Sequence, residues 1–187
     1  MSPRRSIKAK GKLFVISAPS GCGKTTLCKK LLADKPEMMR SVSMTTRPPR
    51  PGEKDGVDYH FMSRKDFKGL IERGEFLEYE ENFGHFYGTP KRFIRDNLKK
   101  GKSILLNIDV KGAMKVRRAY PKDSILLFIL PPSIKALKKR LHARMTDSIQ
   151  TISTRFNLAK KELAYKDRYD YRIVNDRLDN AYRRLKK

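Results

Sequence analysis

Short apolar runs alternate along the chain with segments in which apolar residues recur at helical spacing. The runs predict five strands, at 13–17, 41–44, 103–109, 124–130 and 171–175. They are almost continuously apolar, as is typical of strands in a parallel sheet that is covered on both faces. Helices or long crossovers are predicted between them, so the order of elements favours an α/β fold.

Residues that favour helix N-termini mark where helices begin between the predicted strands. Ser63 and Ser133 are suitable N-caps. Thr89 is predicted to cap a further helix, with Pro90 at its first helical position. The predicted helices cover 25–33, 64–73, 90–100, 133–143, 148–166 and 179–185.

The stretch from 47 to 88 interrupts this rhythm. Prolines and glycines make 47–56 a loop, and 76–80 and 86–87 predict short strands around a turn at Gly84. We interpret the stretch as a small lobe inserted between elements of the main sheet. The first dozen residues are predicted to be a loose basic arm. They do not predict a secretory signal, because no continuous apolar core follows them.

Composition narrows the class of protein. With 187 residues, the chain is long enough for one domain whose core needs neither a metal nor disulfides. Its 44 basic and 20 acidic residues give a net charge of +24, which steers anions toward the protein. Nucleotides, nucleic acids and acidic membranes are candidate partners, and a solvated lysine-rich surface is the alternative interpretation.

The apolar stretches and the cysteines indicate the compartment. The longest apolar stretch, 125–130, is too short to span a membrane. Cys22 and Cys28 are too few for a disulfide framework, and they have no histidines at zinc-ligand spacing. These features predict a cytoplasmic protein in a reducing setting.

A glycine-rich loop between the first predicted strand and helix carries the clearest chemistry. It reads Ala-Pro-Ser-Gly-Cys-Gly-Lys-Thr-Thr over 18–26. Such a loop brings backbone N–H groups close to a phosphate chain at a helix N-terminus, with Lys24 on the β- and γ-phosphates and Thr25 on Mg²⁺. The strict motif has glycine where this chain has Ala18, but the strand–loop–helix context predicts a nucleotide site. A glycine turn with a solvated lysine is the alternative.

A second basic motif follows at 41–52. Its prolines favour polyproline II, which repeats about every 3 residues, so Arg47 and Arg50 are expected on one side. Paired guanidinium groups suit a phosphate monoester, and the hydroxyls of Tyr59 and Tyr87 are candidate further donors. A solvated basic loop is the alternative interpretation.

Seven motifs together resemble the guanylate kinases in order and spacing. They are APSGCGKT at 18–25, SVSMTTRPPRPG at 41–52, DYHF at 58–61, FLE at 76–78, YGT at 87–89, ID at 108–109 and IVND at 173–176. Many proteins share the first motif, whereas the block at 41–52 is specific to this family. The resemblance extends over about residues 12 to 185.

The resemblance implies an ATP-dependent kinase that converts GMP, and more weakly dGMP, to the diphosphate, with Mg²⁺ and no obligatory protein partner. The implied fold is an α/β, P-loop NTPase-type parallel sheet flanked by helices, with an inserted small mixed α/β GMP-binding lobe and a helical lid. The expected divisions are a basic arm at 1–11, a core at 12–43, 89–136 and 159–187, a GMP-binding lobe at 44–88 and a lid at 137–158.

Site residues also follow from the resemblance. The expected ATP-binding residues are Ala18, Pro19, Ser20, Gly21, Cys22, Gly23, Lys24, Thr25, Thr26, Arg140, Arg144 and Asn175. The expected GMP-binding residues are Ser43, Arg47, Arg50, Tyr59, Glu78, Tyr87, Thr89, Asn107 and Asp109. The expected catalytic residues are Lys24, Arg47, Arg144 and Arg155, and the Mg²⁺ residues are Thr25 and, through water, Asp109.

Guanine recognition is the most specific of these expectations. Guanine presents N1–H and the 2-amino group side by side, and one carboxylate, Glu78, can accept both, whereas adenine lacks that pair. Hydroxyls at Ser43 and Thr89 can donate to O6. Without the resemblance, Glu78 would be interpreted as a solvated strand-edge carboxylate and Arg140 as a salt-bridging helix residue.

The chain departs from the family pattern at two places. Asn107 stands where the family usually has an acid, which predicts weaker GMP binding. In the lid, Met145 replaces the usual glycine, and Ile149 and Gln150 stand where acids are common, which predicts altered lid motion or ATP affinity.

Two other functions remain open from the sequence. A guanylate-kinase-like scaffold that binds peptides typically lacks the phosphate loop, and here Lys24 and Thr25 are intact. A P-loop protein whose main ligand is nucleic acid would suit the charge of +24, and non-specific binding to polyanions is expected in any case.

Overall fold

The computed structural model describes residues 11–142 and 149–187, with the backbone alone at 149–152. The strands in these ranges are β1 (Leu13–Ser17), β2 (Met39–Arg40), β3 (Met44–Thr45), β4 (His60–Phe61), β5 (Phe76–Asn82), β6 (His85–Pro90), β7 (Ile104–Asn107), β8 (Ser124–Leu130) and β9 (Tyr171–Val174). The α-helices are α1 (Lys24–Asp34), α2 (Arg64–Glu72), α3 (Lys91–Lys99), α4 (Val110–Ala119), α5 (Ile134–His142), α6 (Ile149–Leu163) and α7 (Leu178–Lys186).

A fully parallel core sheet has the strand order β2-β7-β1-β8-β9. Successive residues of its central strands point to opposite faces. Ile16 joins a buried cluster with residues of α1, α5, α6 and α7, whereas Val15 joins a second cluster with residues of α3 and α4. Burial on both faces explains the continuously apolar strands and confirms the predicted parallel sheet flanked by helices.

A second, mixed sheet has the order β4-β3-β6-β5. β3 and β4 are parallel, and β6 is antiparallel to both β3 and β5. Helix α2 covers this sheet through the buried Phe67, whose ring stacks on Phe76 and Phe86 at centroid distances of 4.4 and 5.4 Å. The inserted mixed α/β lobe of the predicted fold is therefore present as a separate small sheet.

The prediction of one strand at 41–44 is wrong. Met39 and Arg40 pair with β7 in the core sheet, whereas Met44 and Thr45 pair with β4 and β6 in the second sheet. The chain crosses from one sheet to the other at 41–43, so the apolar run does not form a single strand.

Helix α4 was not predicted. It begins directly after Asp109, whose side chain caps it by accepting the N–H of Gly112 at 2.8 Å. A glycine in the first turn lowers helix propensity by about 1 kcal/mol relative to alanine, which weakens the sequence signal. Burial of Val110, Ala113 and Val116 against the core sheet stabilises the helix.

Of the predicted helix caps, Ser63 is confirmed and Thr89 is wrong. Ser63 caps α2, and its hydroxyl accepts the N–H of Asp66 at 3.1 Å, as predicted. Thr89 is not a cap, because it lies within β6 and α3 begins after Pro90. Its hydroxyl instead donates to the carboxylate of Glu78, in the cleft described below. None of the helices in the described ranges is both long and apolar enough to cross a membrane.

Candidate active site

A cleft of about 310 Å³ lies where the carboxyl ends of β1 and β7 meet the second sheet. In open parallel sheets, the crevice beyond the carboxyl ends of the strands is the usual place for a ligand. The lining residues include the whole loop 18–26, Ser43, Arg50, Tyr59, Glu78, Glu80, Asn82, Phe83, Tyr87, Asn107, Asp109, Arg155 and Glu162. Most of the predicted site residues are thus brought together.

At two positions of the phosphate loop, the backbone has a conformation that only glycine adopts easily. Gly21 and Gly23 have φ values of 86° and 82°. A Cβ at Gly23 would lie 2.5 Å from Nδ2 of Asn175, which donates to the carbonyl of Cys22 at 2.8 Å. The side chain of Cys22 is fully buried beneath the loop. Asn175 therefore braces the loop from behind, and it does not line the cleft.

Lys24 is anchored at the base of the cleft. Its Nζ donates to the carbonyl of Ile108, at the end of the neighbouring strand, at 2.8 Å. Burial lowers the pKa of this ammonium group, although nearby Asp109 and Glu162 act in the opposite direction. The amine of Lys24 is thus held close to the N-terminus of α1, where anions bind.

Glu162 is a cleft residue that the sequence analysis missed. It lies on α6 and accepts a hydrogen bond from the backbone N–H of Ser20 in the phosphate loop. Burial raises the pKa of its carboxyl to about 7, while the charge of Lys24 opposes the rise. Helical spacing places it on the same side of α6 as the buried Ala159, so an acid on an apolar helix face was the available signal.

Glu78 lies opposite Thr89 in the pairing of β5 with β6. The Thr89 hydroxyl donates to Glu78 Oε1, and only 6% of Glu78 is exposed. Burial raises the pKa of this carboxyl to about 7. A Cβ on Gly112 of α4 would lie 2.6 Å from Glu78 Oε2, so the carboxylate packs directly on a helix backbone that must be glycine there.

Asp109 is held by three elements. Its Oδ1 accepts the N–H of Gly112, and its Oδ2 accepts Nδ2 of Asn82, at the end of β5, at 2.6 Å. Its backbone carbonyl accepts the Ser17 hydroxyl at 3.2 Å. Asn107 lines the cleft beside it. Asn82 was not anticipated from the sequence, because its contact to Asp109 joins the two sheets.

The two arginines of the 41–52 motif do not share one environment. Arg50 lines the cleft with Tyr59, whereas Arg47 does not line it. The Arg47 guanidinium makes two hydrogen bonds to Glu53, at 2.8 and 2.9 Å, and lies over the Tyr59 ring at 5.5 Å. Glu53 also accepts the backbone N–H of Arg50 at 2.8 Å. This acid shapes the loop, and its place directly after the basic motif was the available signal in the sequence.

Helices α5 and α6 bring one predicted arginine to the cleft. Arg155 of α6 lines it, and its guanidinium lies 5.8 Å from the ring centroid of Phe83. Arg140 of α5 instead donates to the backbone carbonyl of Asn175 at 3.0 Å. Arg144 and Met145 lie outside the described residues, as do the side chains of Ile149 and Gln150.

The donor set of the cleft fits Mg²⁺ better than a metal that needs several protein ligands. Among the described residues, no group of three or more His, Cys, Asp or Glu side chains is placed to hold a metal. The exposed Thr25 and the carboxylate of Asp109 both line the cleft. A carboxylate that accepts one N–H on each oxygen retains lone pairs for a water, and Mg²⁺ commonly keeps waters and substrate phosphates as ligands.

Comparisons with known proteins agree with this geometry. A family model described as Guanylate kinase matches residues 10–187. The chain is 48% identical to a guanylate kinase of Caulobacter vibrioides, over 92% of this chain and 81% of that protein. It is 44% identical to one of Caldanaerobacter subterraneus subsp. tengcongensis, over 97% of this chain and 87% of that protein. A crystal structure of guanylate kinase from Anaplasma phagocytophilum superposes with a TM-score of 0.81 at 38% identity, covering 95% of this chain and 84% of that chain.

Proposed function

Since the chain belongs to the guanylate kinase family and transfers a phosphoryl group from ATP to GMP, we propose that its cleft divides the reaction into a donor half and an acceptor half. The donor half is the phosphate loop with Lys24 and Arg155. The acceptor half is the cleft side of the second sheet, with Arg50 and the buried Glu78. The corresponding divisions are a core, a GMP-binding lobe at 44–88 and a lid at 137–158.

In the donor half, backbone N–H groups at the start of α1 bind the ATP phosphates, and Lys24 stabilises the charge on the transferred group. Asn175 supports this loop through the carbonyl of Cys22, and Arg140 supports Asn175 through its backbone carbonyl, so we assign neither side chain a contact with ATP. The Ser20 N–H bonded to Glu162 fixes the loop against α6. Thr25 and, through water, Asp109 would hold Mg²⁺, and the ion would supply charge neutralisation for the phosphates of ATP.

In the acceptor half, Glu78 accepts the N1–H and 2-amino donors of guanine. The Thr89 hydroxyl donates to Oε1 of that carboxylate and fixes its orientation. Ser43 lines the cleft and donates to O6. Arg50, Tyr59 and Tyr87 hold the GMP phosphate, and Arg47 acts with them once it exchanges Glu53 for phosphate. Asn107 contributes a neutral amide, which accepts hydrogen bonds less strongly than an acid.

No general base is needed for the transfer. The attacking oxygen belongs to a phosphate whose second pKa is about 6, so it is largely deprotonated at neutral pH. Catalysis is therefore positioning and charge neutralisation, and exclusion of water keeps the phosphoryl group from hydrolysis. We also propose that dGMP is accepted more weakly.

A cytoplasmic location and a lack of an obligatory protein partner complete the proposal. Both cysteines are free thiols, which suits a reducing compartment. The net charge of +24 supports weak, non-specific binding of polyanions.

The observation that carries the acceptor assignment is the buried, Thr89-oriented Glu78 in the cleft. The test is ADP release from ATP and Mg²⁺ with GMP, dGMP, AMP, CMP and UMP as acceptors. GMP should be used best and dGMP less well. AMP, CMP and UMP should be lower by orders of magnitude, because they leave the carboxylate without its donor pair. Comparable turnover of AMP and GMP would overturn it, and hydrolysis stimulated mainly by RNA would favour a nucleic-acid ligand.

Gly112→Ala should raise the GMP KM by about tenfold or more while leaving the ATP KM within about twofold. The new Cβ would lie 2.6 Å from Glu78 Oε2, so the guanine-binding carboxylate must move. Stability should fall by at most about 2 kcal/mol, because the helix preference of alanine, up to about 1 kcal/mol over glycine, offsets part of the cost of moving the buried carboxylate. Steady-state kinetics and thermal unfolding measure both effects.

Gly69→Ala in α2 is the matched control, since its Cβ meets only the flexible end of Arg73, at 3.2 Å. An unchanged GMP KM in Gly112→Ala would show that Glu78 does not need its place against α4.

A further inference from the structure

Phe83 occupies a turn that does not suit it. Asn82 and His85 pair across the β5–β6 hairpin, so Phe83 and Gly84 form a two-residue loop, with φ values of 52° and 76°. Positive φ at both positions is the geometry of a type I′ turn, for which Asn, Asp or Gly is preferred at the first position. Phe83 is the one non-glycine residue with positive φ in the described ranges. Its side chain must therefore contribute something that the turn itself does not require.

The Phe83 ring makes a contact across the cleft. The residue is 54% exposed and lines the cleft, and the Arg155 guanidinium lies 5.8 Å from its ring centroid. That distance is within the range of a cation–π interaction. A guanidinium that lies over a ring keeps its N–H donors in its own plane, from which they can reach phosphate oxygens. The tip of the second sheet thus touches α6 through the side chain that we assign to the transferred phosphate.

The same hairpin connects this contact to the acceptor half. Glu78 and Tyr87 lie on its two strands. At its end, Asn82 donates to Asp109 Oδ2 at 2.6 Å, which fixes the hairpin to the core sheet. The turn that carries Phe83 is therefore fixed to the core sheet through Asn82, and its ring faces Arg155 of α6.

We propose that Phe83 is a positioning residue that holds the Arg155 guanidinium at the cleft. The proposal rests on the function proposed above, in which Arg155 stabilises the transferred phosphoryl group. An arginine side chain has many rotamers, and confining it before the transition state removes part of the entropic cost of the reaction.

The decisive variant is Phe83→Asn, because asparagine suits the type I′ turn and removes only the ring. We expect kcat to fall by about tenfold, with the KM values for ATP and GMP within about threefold and thermal stability unchanged or higher. Phe83→Tyr keeps a ring and should restore kcat to near the original value. Tyr79→Ala is the matched control, since Tyr79 is an exposed aromatic on the same hairpin, under Lys115 at 5.1 Å, and lies outside the cleft lining. Its kcat should be unchanged.

A double-mutant cycle separates positioning from other roles. Arg155→Ala should lower kcat by more than Phe83→Asn, and adding Phe83→Asn to Arg155→Ala should have little further effect. Independent, multiplying losses would overturn the proposal, as would an unchanged kcat in Phe83→Asn or a raised GMP KM with unchanged kcat. If instead Arg155→Ala keeps full kcat, or the unmodified protein does not phosphorylate GMP, it is the proposed function that fails.

Discussion

Lys24→Met should lower kcat by roughly 10²-fold or more and leave the GMP KM nearly unchanged. The substitution removes a cation from the place where charge develops on the transferred phosphoryl group, and electrostatic groups of this kind contribute losses of that size when deleted. The Nζ of Lys24 is fixed by the carbonyl of Ile108 at 2.8 Å, so it is positioned before substrate arrives. Glu78 and Arg50 lie on other elements, and the GMP site should survive.

The protein should remain folded in this variant. Burial already disfavours the charged form of Lys24, as its lowered pKa shows, and methionine fills a similar apolar volume without a charge. The control is Lys30→Met on the same helix, where the ammonium group pairs with the exposed Asp179 at 2.7 Å and lies over the Tyr182 ring, away from the cleft lining. Kinetics in which both variants keep near-normal kcat would contradict the assignment of the loop to ATP.

Glu78→Gln should raise the GMP KM strongly, by an amount equivalent to about 2–4 kcal/mol. An amide presents one acceptor and one donor, so it cannot accept both guanine donors, and its NH₂ opposes one of them. In the absence of GMP, Glu78→Gln should have a free energy of unfolding at least as large as that of the unmodified protein. The folded pKa of Glu78 is raised by burial to about 7, so ionisation of this group costs stability as pH rises from the usual carboxyl range toward 7. Glutamine removes that cost.

The same carboxyl predicts a pH dependence. The proposed guanine contact requires ionised Glu78, and a pKa raised to about 7 means that the protonated form increases as pH falls below that value. The GMP KM of the unmodified enzyme should therefore rise toward acid pH, by up to about tenfold per unit. Comparison with Glu78→Gln removes the titration of the GMP phosphate itself, which both proteins share. Parallel pH profiles in the two proteins, or an unchanged KM in the variant, would assign guanine recognition elsewhere.

The parts that could be predicted from the sequence are those whose residues are consecutive in the chain. The phosphate loop is continuous from 18 to 26, and its conformation follows from its own glycines. The strand at 124–130 was predicted with its observed bounds, because it is buried on both faces and no tertiary contact alters its pattern. The short strands β2 and β3 were merged, since which sheet each joins depends on distant partners.

The parts of the site that were missed depend on contacts between distant segments. Glu162 contacts Ser20 only after α6 has docked on the loop. Gly112 appears as a weak point in a helix until Glu78 is seen against it. Thr89 was expected in the GMP site, but the predicted helix cap at Thr89 is wrong, because the pairing of β5 with β6 places this residue in a strand opposite Glu78. In each case local propensity is overruled by a tertiary contact that serves the cleft.

The buried thiol beneath the phosphate loop has a consequence for the chemical durability of the enzyme. Burial raises the pKa of Cys22 to about 12 and that of Cys28 to about 11. Oxidants and alkylating reagents attack the thiolate, which at neutral pH is therefore only about 10⁻⁵ and 10⁻⁴ of each group. Cys22 lies within the phosphate loop, yet its burial is expected to make it react slowly while the protein is folded. Modification of either thiol should therefore follow local unfolding, and the packing of the loop protects it in the folded state.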